Sequence, residues 1–193
     1  PRRNKTVSAG RFEHHIPVLL DQVLDRASPL SGRVWVDCTL GFGGHTEALL
    51  LRGAEVVGVD QDPDTLDHTK DRLSDYSDAL TCVLGNFRDL RKHLDELGIE
   101  TVDGVLADLG VSSKQFDDAQ RGFSFSKSGP IDMRMSSKGE TAEALIGRLD
   151  TRELAQVIRR YGEEKFAMPI AKAIHKWFDQ TDERTTSELA AVI

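Results

Sequence analysis

The chain has 193 residues, of which 39% are hydrophobic and 30% are charged, and its formal net charge is −7. This length and mixture predict a globular protein with one substantial domain, or one domain and part of another. The acidic balance argues against a non-specific nucleic-acid binder, and no apolar run reaches the roughly 18 residues that a transmembrane helix needs. The basic start, residues 1–11, lacks an apolar stretch after it, which excludes a secretory signal and predicts a flexible arm.

A helical pattern comes first, over residues 17–28, and four apolar strand-like runs follow it, at 33–39, 55–60, 79–85 and 102–110. Stretches with helical spacing separate these strands. The helix after the second strand opens with Asp62 as N-cap and Pro63 as its first residue, and the helix after the third strand stops at Gly98. Apolar strands that alternate with helices predict a parallel sheet covered on both faces, which is a doubly wound α/β fold.

The pattern changes after residue 110. Residues 111–140 have no clear period, and helical spacing dominates beyond them, at 141–150, 151–162, 163–178 and 186–193. The apolar positions of residues 163–178 predict a core helix and not a binding stripe. Because a four-stranded open sheet without a fifth strand looks unfinished, we expect the natural protein to continue past residue 193.

Three glycines, Gly41, Gly43 and Gly44, lie between the first strand and the next helix in "TLGFGGHTEALL" (39–50). A loop in that place can turn its backbone N–H groups toward a ligand. The dinucleotide fingerprint G-x-G-x-x-G is met only in part, because Thr46 stands at the third glycine, and the missing Gly-Lys-Ser/Thr excludes a P-loop. The alternative is a tight turn without a ligand.

Acidic residues accompany the loop: Asp37 precedes it, Asp60 ends the second strand and Asp108 lies near the end of the fourth. The carboxyl ends of parallel strands meet at one crevice, so we expect all three carboxylates there. A pyrophosphate would be repelled, whereas S-adenosylmethionine (SAM), with its sulfonium and ammonium groups, would be favoured. Asp60 is then placed to accept hydrogen bonds from both ribose hydroxyls. The alternative for each acid is a helix N-cap.

Several longer motifs resemble the ribosomal RNA small subunit methyltransferase H family, also called MraW-like. They are "HIPVLL" (15–20), "DCTLGFGGHTEALL" (37–50), "GVDQDPDTL" (58–66), "GVLADLGVSSKQFDDAQRGFSF" (104–125), "GPIDMRM" (129–135) and "YGEEKFAMPIAKAI" (161–174). The resemblance runs from about residue 12 to the end of the chain. It implies a SAM-dependent enzyme that methylates N4 of a cytidine in 16S ribosomal RNA at the decoding centre.

The resemblance also implies a domain plan. The N-terminal arm, 1–11, would precede a Rossmann-like SAM-binding domain over 12–112, and 113–193 would form a loop and an inserted helical domain. A C-terminal portion of the family, which completes the sheet and carries a "SFHSLEDR"-like segment, is absent from these residues. The sheet is therefore expected to be incomplete.

The family's cofactor contacts fall on residues that lie in the loop and after each strand. They are Gly43, Gly44, His45, Asp60, Phe87, Asp108 and Gln115. Without the resemblance, three of these have ordinary interpretations: Phe87 as a core residue, His45 as a helix N-terminal residue and Gln115 as an exposed loop amide.

The chemistry at N4 is hard because the amine lone pair is delocalised into the cytosine ring. Asp108 occupies the position after strand four where many amino-methyltransferases carry Asp/Asn-Pro-Pro-aromatic, but Leu109, Gly110 and Val111 follow it. Asp108 is thus a candidate either to bond the amine or only to orient SAM, and no catalytic base is assigned.

The target base must leave its stack to reach the methyl group. Candidates to stack on it are Phe116, Phe123 and Phe125. For at least two of them the favoured alternative is that they pack the loop onto the helical domain. Candidates to contact phosphates are the N-terminal arm and the basic residues of 114–138, including Arg121, Lys127 and Arg134.

Cys38 and Cys82 lie in apolar runs and are expected to be reduced thiols, and the histidines lack the spacing of a metal site. We expect a cytoplasmic protein that acts on the small ribosomal subunit and does not bind a membrane. Whether it forms a homodimer is left open. Two other functions stay open from the residues: a dinucleotide-dependent oxidoreductase, and a non-catalytic SAM- or RNA-binding assembly factor.

Overall fold

The computed structural model describes residues 17–136 and 138–193, so the predicted N-terminal arm with its basic residues lies outside the described part. The chain divides into two compact units, one that ends at Gly110 and one that begins at Val111. The side chain of Lys114, from the predicted basic segment, also lies outside the description.

The first unit is a parallel sheet with helices between its strands. In chain order it contains α1 (Leu20–Ala27), β1 (Val34–Asp37), α2 (Gly44–Leu51), β2 (Glu55–Asp60), α3 (Pro63–Arg72), β3 (Leu80–Leu84), α4 (Leu90–Glu96) and β4 (Gly104–Leu106). The strand order is β3-β2-β1-β4, and each pairing is parallel. The prediction of a Rossmann-like α/β sheet is confirmed.

Alternate residues of the central strands face two separate cores. Val56 packs with Leu24 and Leu49 on one face of the sheet, whereas Val57 packs with Leu94 on the other. This is the period of two that a strand buried on both faces requires. Strand β4 lies at the sheet edge and is less covered, with 53% of Val105 exposed.

The second unit is helical. It contains α5 (Ser113–Asp117), α6 (Ala142–Arg148), α7 (Thr151–Gly162), α8 (Ala167–Gln180) and α9 (Thr186–Val192). Helix α8 was predicted to be core, and its buried residues Ala171 and Ile174 pack with Leu154 of α7, which confirms the prediction. Asp150 and Thr185 begin α7 and α9 with capping boxes, in which each side chain and a glutamate three residues later bond each other's backbone N–H.

Helix boundaries in the first unit follow the local signals of the sequence. The Asp62 side chain accepts a hydrogen bond from the N–H of Asp64, and Pro63 is the first residue of α3, as predicted. Helix α4 ends just before Gly98, which has a positive φ of 71° and can therefore turn the chain at no steric cost. Cys38 and Cys82 are free thiols.

Gly43, at the start of α2, is confined in two ways. Its φ is 72°, in the left-handed region. A Cβ added there would lie 2.8 Å from Cγ2 of Thr69 and 2.9 Å from Cδ1 of Leu73, both at the end of α3. The glycine loop therefore packs so closely against this end of α3 that a side chain at position 43 would require Thr69 and Leu73 to shift.

We expect Gly43→Ala to destabilise the protein more than Gly98→Ala, which has nearly the same φ but open space around its Cβ. The left-handed conformation should cost about 1–2 kcal/mol in each variant. The contact with α3 should add about 1–3 kcal/mol to Gly43→Ala alone. Urea unfolding followed by circular dichroism measures the difference, and equal losses of stability in the two variants would contradict the close packing.

Candidate functional site

The glycine loop joins the carboxyl end of β1 to the start of α2, at the edge where the parallel strands end. Within it the N–H of Gly43 donates to the carbonyl of Leu40 at 2.7 Å, and the N–H of Glu47 donates to the carbonyl of Gly43 at 2.8 Å. A Cβ on Gly44 would lie 2.5 Å from Cγ of Pro17. At both predicted contacts, Gly43 and Gly44, neighbouring side chains therefore lie in the space that a Cβ would occupy.

Asp60 is the last residue of β2 and ties the glycine loop to the β2–α3 turn. Its Oδ2 accepts from the N–H of Gly41 and its Oδ1 accepts from the N–H of Asp62, both at 2.9 Å. Burial raises the pKa of this carboxyl, and the backbone hydrogen bonds oppose that shift. The side chain is only half-buried, and a carboxylate has about four acceptor positions, so it can accept further donors.

Asp37 does not line the crevice, and the expectation that three carboxylates meet there is wrong. Its side chain is 1% exposed. Thr46 Oγ1 donates to one carboxylate oxygen at 2.7 Å, and the N–H of Thr39 donates to the other at 3.1 Å. Burial raises the pKa of Asp37. Thr46, the residue that departs from the dinucleotide fingerprint, is thus one of the two threonines that stabilise this buried acid.

His45 is buried in the first turn of α2, and its ring is engaged with the segment before α1. Its Nε2 lies 3.0 Å from the carbonyl oxygen of Val18. Because a carbonyl only accepts, Nε2 carries the proton in this contact. His45 therefore holds the backbone of Val18 next to the loop, a role that nothing in the sequence indicates.

Phe87 and Asp108 follow β3 and β4 and keep their side chains accessible. Phe87 begins a 3₁₀ turn, Phe87–Asp89, and is 42% exposed, so the core interpretation of this residue is wrong. The side chain of Asp108 is exposed, and its backbone N–H donates to Thr39 Oγ1 at 2.8 Å. Thr39 thereby links the ends of β1 and β4.

Gln115 belongs to the second unit, where its side chain is buried and bonded. Its Oε1 accepts from the N–H of Ser112, and its Nε2 donates to the carbonyl of Met135, each at 3.1 Å. Gln115 is therefore not an exposed loop amide.

The first unit brings together Gly43, Gly44, His45 and Asp60 around the loop.

The aromatic candidates of the second unit differ in exposure. Phe116 and Phe125 are exposed and Phe123 is half-buried, so the interpretation that at least two of them pack inward is wrong. Phe116 belongs to the short helix α5, whereas Phe125 lies outside helices and strands.

Three basic candidates of the second unit, Arg121, Lys127 and Arg134, have partners within the unit. Arg134 forms hydrogen bonds to both carboxylate oxygens of Asp132 at 2.8 and 2.6 Å. Lys127 bonds Asp117, and Arg121 donates to the carbonyls of residues 134 and 135. A phosphate would have to compete with these contacts or add to them.

Two residues outside the predicted site, Thr69 and Arg72, donate hydrogen bonds to carbonyls of the glycine loop. Their spacing of three residues on α3 could have suggested a shared face, but nothing in the sequence indicates that this face meets the loop.

Among residues 17–136 and 138–193, no group of three or more His, Cys, Asp or Glu side chains is arranged to hold a metal ion. Within the same ranges, no helix has the length and apolar character needed to cross a membrane.

Comparison with known proteins assigns the family. The model of the MraW methylase family matches residues 12–193. A "Ribosomal RNA small subunit methyltransferase H" from Anaeromyxobacter dehalogenans is 47% identical over 93% of this chain and 58% of its own length. A protein of the same name from Deinococcus radiodurans is 44% identical over 100% of this chain and 61% of its own length.

The chain thus spans about three fifths of the length of these relatives. Among solved structures, the C-terminal domain of precorrin-6Y C5,15-methyltransferase from Rhodobacter capsulatus is 15% identical, covers 69% of this chain and 68% of that one, and has a TM-score of 0.40. That likeness is too distant to add to the assignment. The extent of the family match and the identity to curated relatives establish that the chain belongs to the MraW methylase family.

Proposed function

We propose that the protein transfers a methyl group from SAM to N4 of a cytidine in 16S ribosomal RNA, at the decoding centre of the small subunit. The name of its relatives supports ribosomal RNA as the substrate. The observation that best supports SAM as the cofactor is the half-buried carboxylate of Asp60, which the N–H of Gly41 fixes at the edge where the strands end. The protein would act in the cytoplasm.

The cofactor would lie along the carboxyl edge of the sheet. Asp60 would accept hydrogen bonds from the two ribose hydroxyls, which are charge-assisted and therefore strong. Phe87 offers an exposed ring for the adenine, and the loop offers the backbone N–H of Gly44, since that of Gly43 donates to Leu40 within the loop. With Asp37 buried, the attraction for a positively charged sulfonium rests on Asp60 and Asp108. His45, in the first turn of α2, is a further proposed contact within this unit. Gln115 belongs to the second unit and stays a contact implied by the family resemblance.

For methyl transfer, the N4 nitrogen must stand in line with the sulfonium methyl group. Holding the two in near-attack geometry can supply up to about 7–11 kcal/mol of the barrier reduction. Asp108, exposed after β4, is the candidate to accept a hydrogen bond from the amine or to orient the cofactor. The cytosine would leave its stack, and the exposed rings of Phe116 and Phe125 are candidates to receive it.

The activity is tested with the full-length gene product, small ribosomal subunits from cells that lack it, and methyl-labelled SAM. We expect label in one 16S cytidine, identified as N4-methylated by mass spectrometry of nucleosides. Binding of SAM without transfer would instead indicate a non-catalytic assembly factor. Thermal stabilisation by NAD alone would indicate an oxidoreductase and reject the proposal.

Asp60→Asn should weaken the binding of S-adenosylhomocysteine about 100-fold, since hydrogen bonds to a charged acceptor contribute about 1.5–3 kcal/mol each. Asp67→Asn removes the same charge from an exposed position on α3 and should leave the affinity unchanged. Isothermal titration calorimetry measures both. Equal affinities in the two variants would show that Asp60 does not bind the cofactor.

Binding should also weaken as the pH falls through the pKa of Asp60, because the protonated carboxyl loses its charge and part of its acceptor capacity. Burial raises this pKa above the ordinary aspartate value of about 3.9, so the loss should begin at a higher pH than for an exposed aspartate. Calorimetry across the pH range in which circular dichroism shows the protein folded tests this. The Asp60→Asn variant should not show this loss of affinity at low pH. The same pH profile in the variant and the unaltered protein would contradict the assignment.

A further inference from the structure

The last turn of α3 binds three consecutive carbonyls of the glycine loop. Thr69 Oγ1 donates to the carbonyl of Gly41 at 2.6 Å. Arg72 donates from Nε to the carbonyl of Phe42 at 2.9 Å and from Nη2 to the carbonyl of Gly43 at 3.0 Å. Because Thr69 and Arg72 are three residues apart on a helix, both side chains lie on the face that meets the loop.

Arg72 is itself held by α2. Its Nη1 lies 2.7 Å from Oε2 of Glu47, and the glutamate side chain is largely buried in this ion pair. One guanidinium thus joins α3, the loop and α2 by three of its donors. A lysine would keep the positive charge but could not reproduce this planar arrangement of donors.

The direction of these carbonyls determines where the loop N–H groups point. In a planar trans peptide the C=O and the following N–H point in opposite directions. Carbonyls turned toward α3 therefore turn the N–H groups of the same peptides, including that of Gly44 at the start of α2, away from α3. Asp60, at the end of β2, accepts a hydrogen bond from the N–H of Gly41 and so fixes the start of the loop.

We propose that Thr69 and Arg72 are positioning residues that hold the glycine loop in the conformation that binds the adenosyl cofactor, with Glu47 orienting Arg72. The inference rests on the proposed use of SAM. A loop containing Gly41, Gly43 and Gly44 has unusual backbone freedom, and a cofactor that had to order it would lose about tenfold in affinity per residue fixed. The α3 contacts remove that loss before the cofactor binds.

The test uses the full-length gene product and isothermal titration with S-adenosylhomocysteine. Arg72→Lys and Thr69→Val should each raise Kd about 10- to 100-fold, because each removes donors to the loop while conserving charge or shape. Thr69→Ser keeps the hydroxyl and should bind within about threefold of the unaltered protein. Lys70→Ala, a loss of an exposed cation from the same turn of α3, should have no effect.

Steady-state methyl transfer provides a readout that lost stability alone would not move. In Arg72→Lys and Thr69→Val the KM for SAM should rise, whereas kcat at saturating SAM should stay within about threefold, since bound cofactor restores the loop. Ile174→Val, a small cavity in the core of the second unit, controls for destabilisation and should lower Tm without changing Kd.

Unchanged affinity in Arg72→Lys and Thr69→Val would overturn the inference, as would equal weakening in Thr69→Ser and Thr69→Val. If Arg72→Lys fails to fold, the Thr69→Ser and Thr69→Val pair decides the matter. An unaltered protein that binds no S-adenosylhomocysteine would reject the proposed function itself, a result distinct from failure of the α3 contacts.

Discussion

The carboxylate of Asp60 joins the two turns on which the candidate site depends. One oxygen bonds the loop after β1 and the other bonds the turn after β2, so neighbouring strand ends are fixed by one side chain. From the opposite side, the last turn of α3 binds the carbonyls of the same loop. A glycine-rich segment, flexible by composition, is thereby anchored at both its donors and its acceptors.

A second set of contacts fixes the strand ends from within. The buried carboxylate of Asp37 accepts from Thr46 and Thr39, and Thr39 Oγ1 accepts in turn from the N–H of Asp108. The position of Asp108 therefore depends on a carboxylate that the ligand would not touch. Burial of Asp37 is tolerated because hydrogen bonds offset part of the desolvation that raises its pKa. The two acids nearest the loop thus have separate roles, Asp37 inside the fold and Asp60 at its edge.

Much of the fold was predictable because its signals are local. Strand β2 has the predicted bounds, and the Asp62-Pro63 start of α3 follows from capping chemistry alone. The site was less predictable, because whether a strand-end acid faces a crevice or the interior depends on partners distant in sequence. Asp37 is turned inward by Thr46, and the loop is bound by Arg72, which lies 29 residues from Gly43 in sequence. Neither contact leaves a periodic signal in the chain.

The central claim is that Asp60 and the loop it fixes bind the adenosyl cofactor, and a crystal structure of the full-length gene product with S-adenosylhomocysteine tests it most directly. The account predicts ribose hydroxyls within hydrogen-bond distance of Asp60, at about 2.5–3.0 Å, and the homocysteine end beside Gly43 and Gly44. A nucleoside bound elsewhere, with Asp60 still bonded only to the backbone of Gly41 and Asp62, would contradict it.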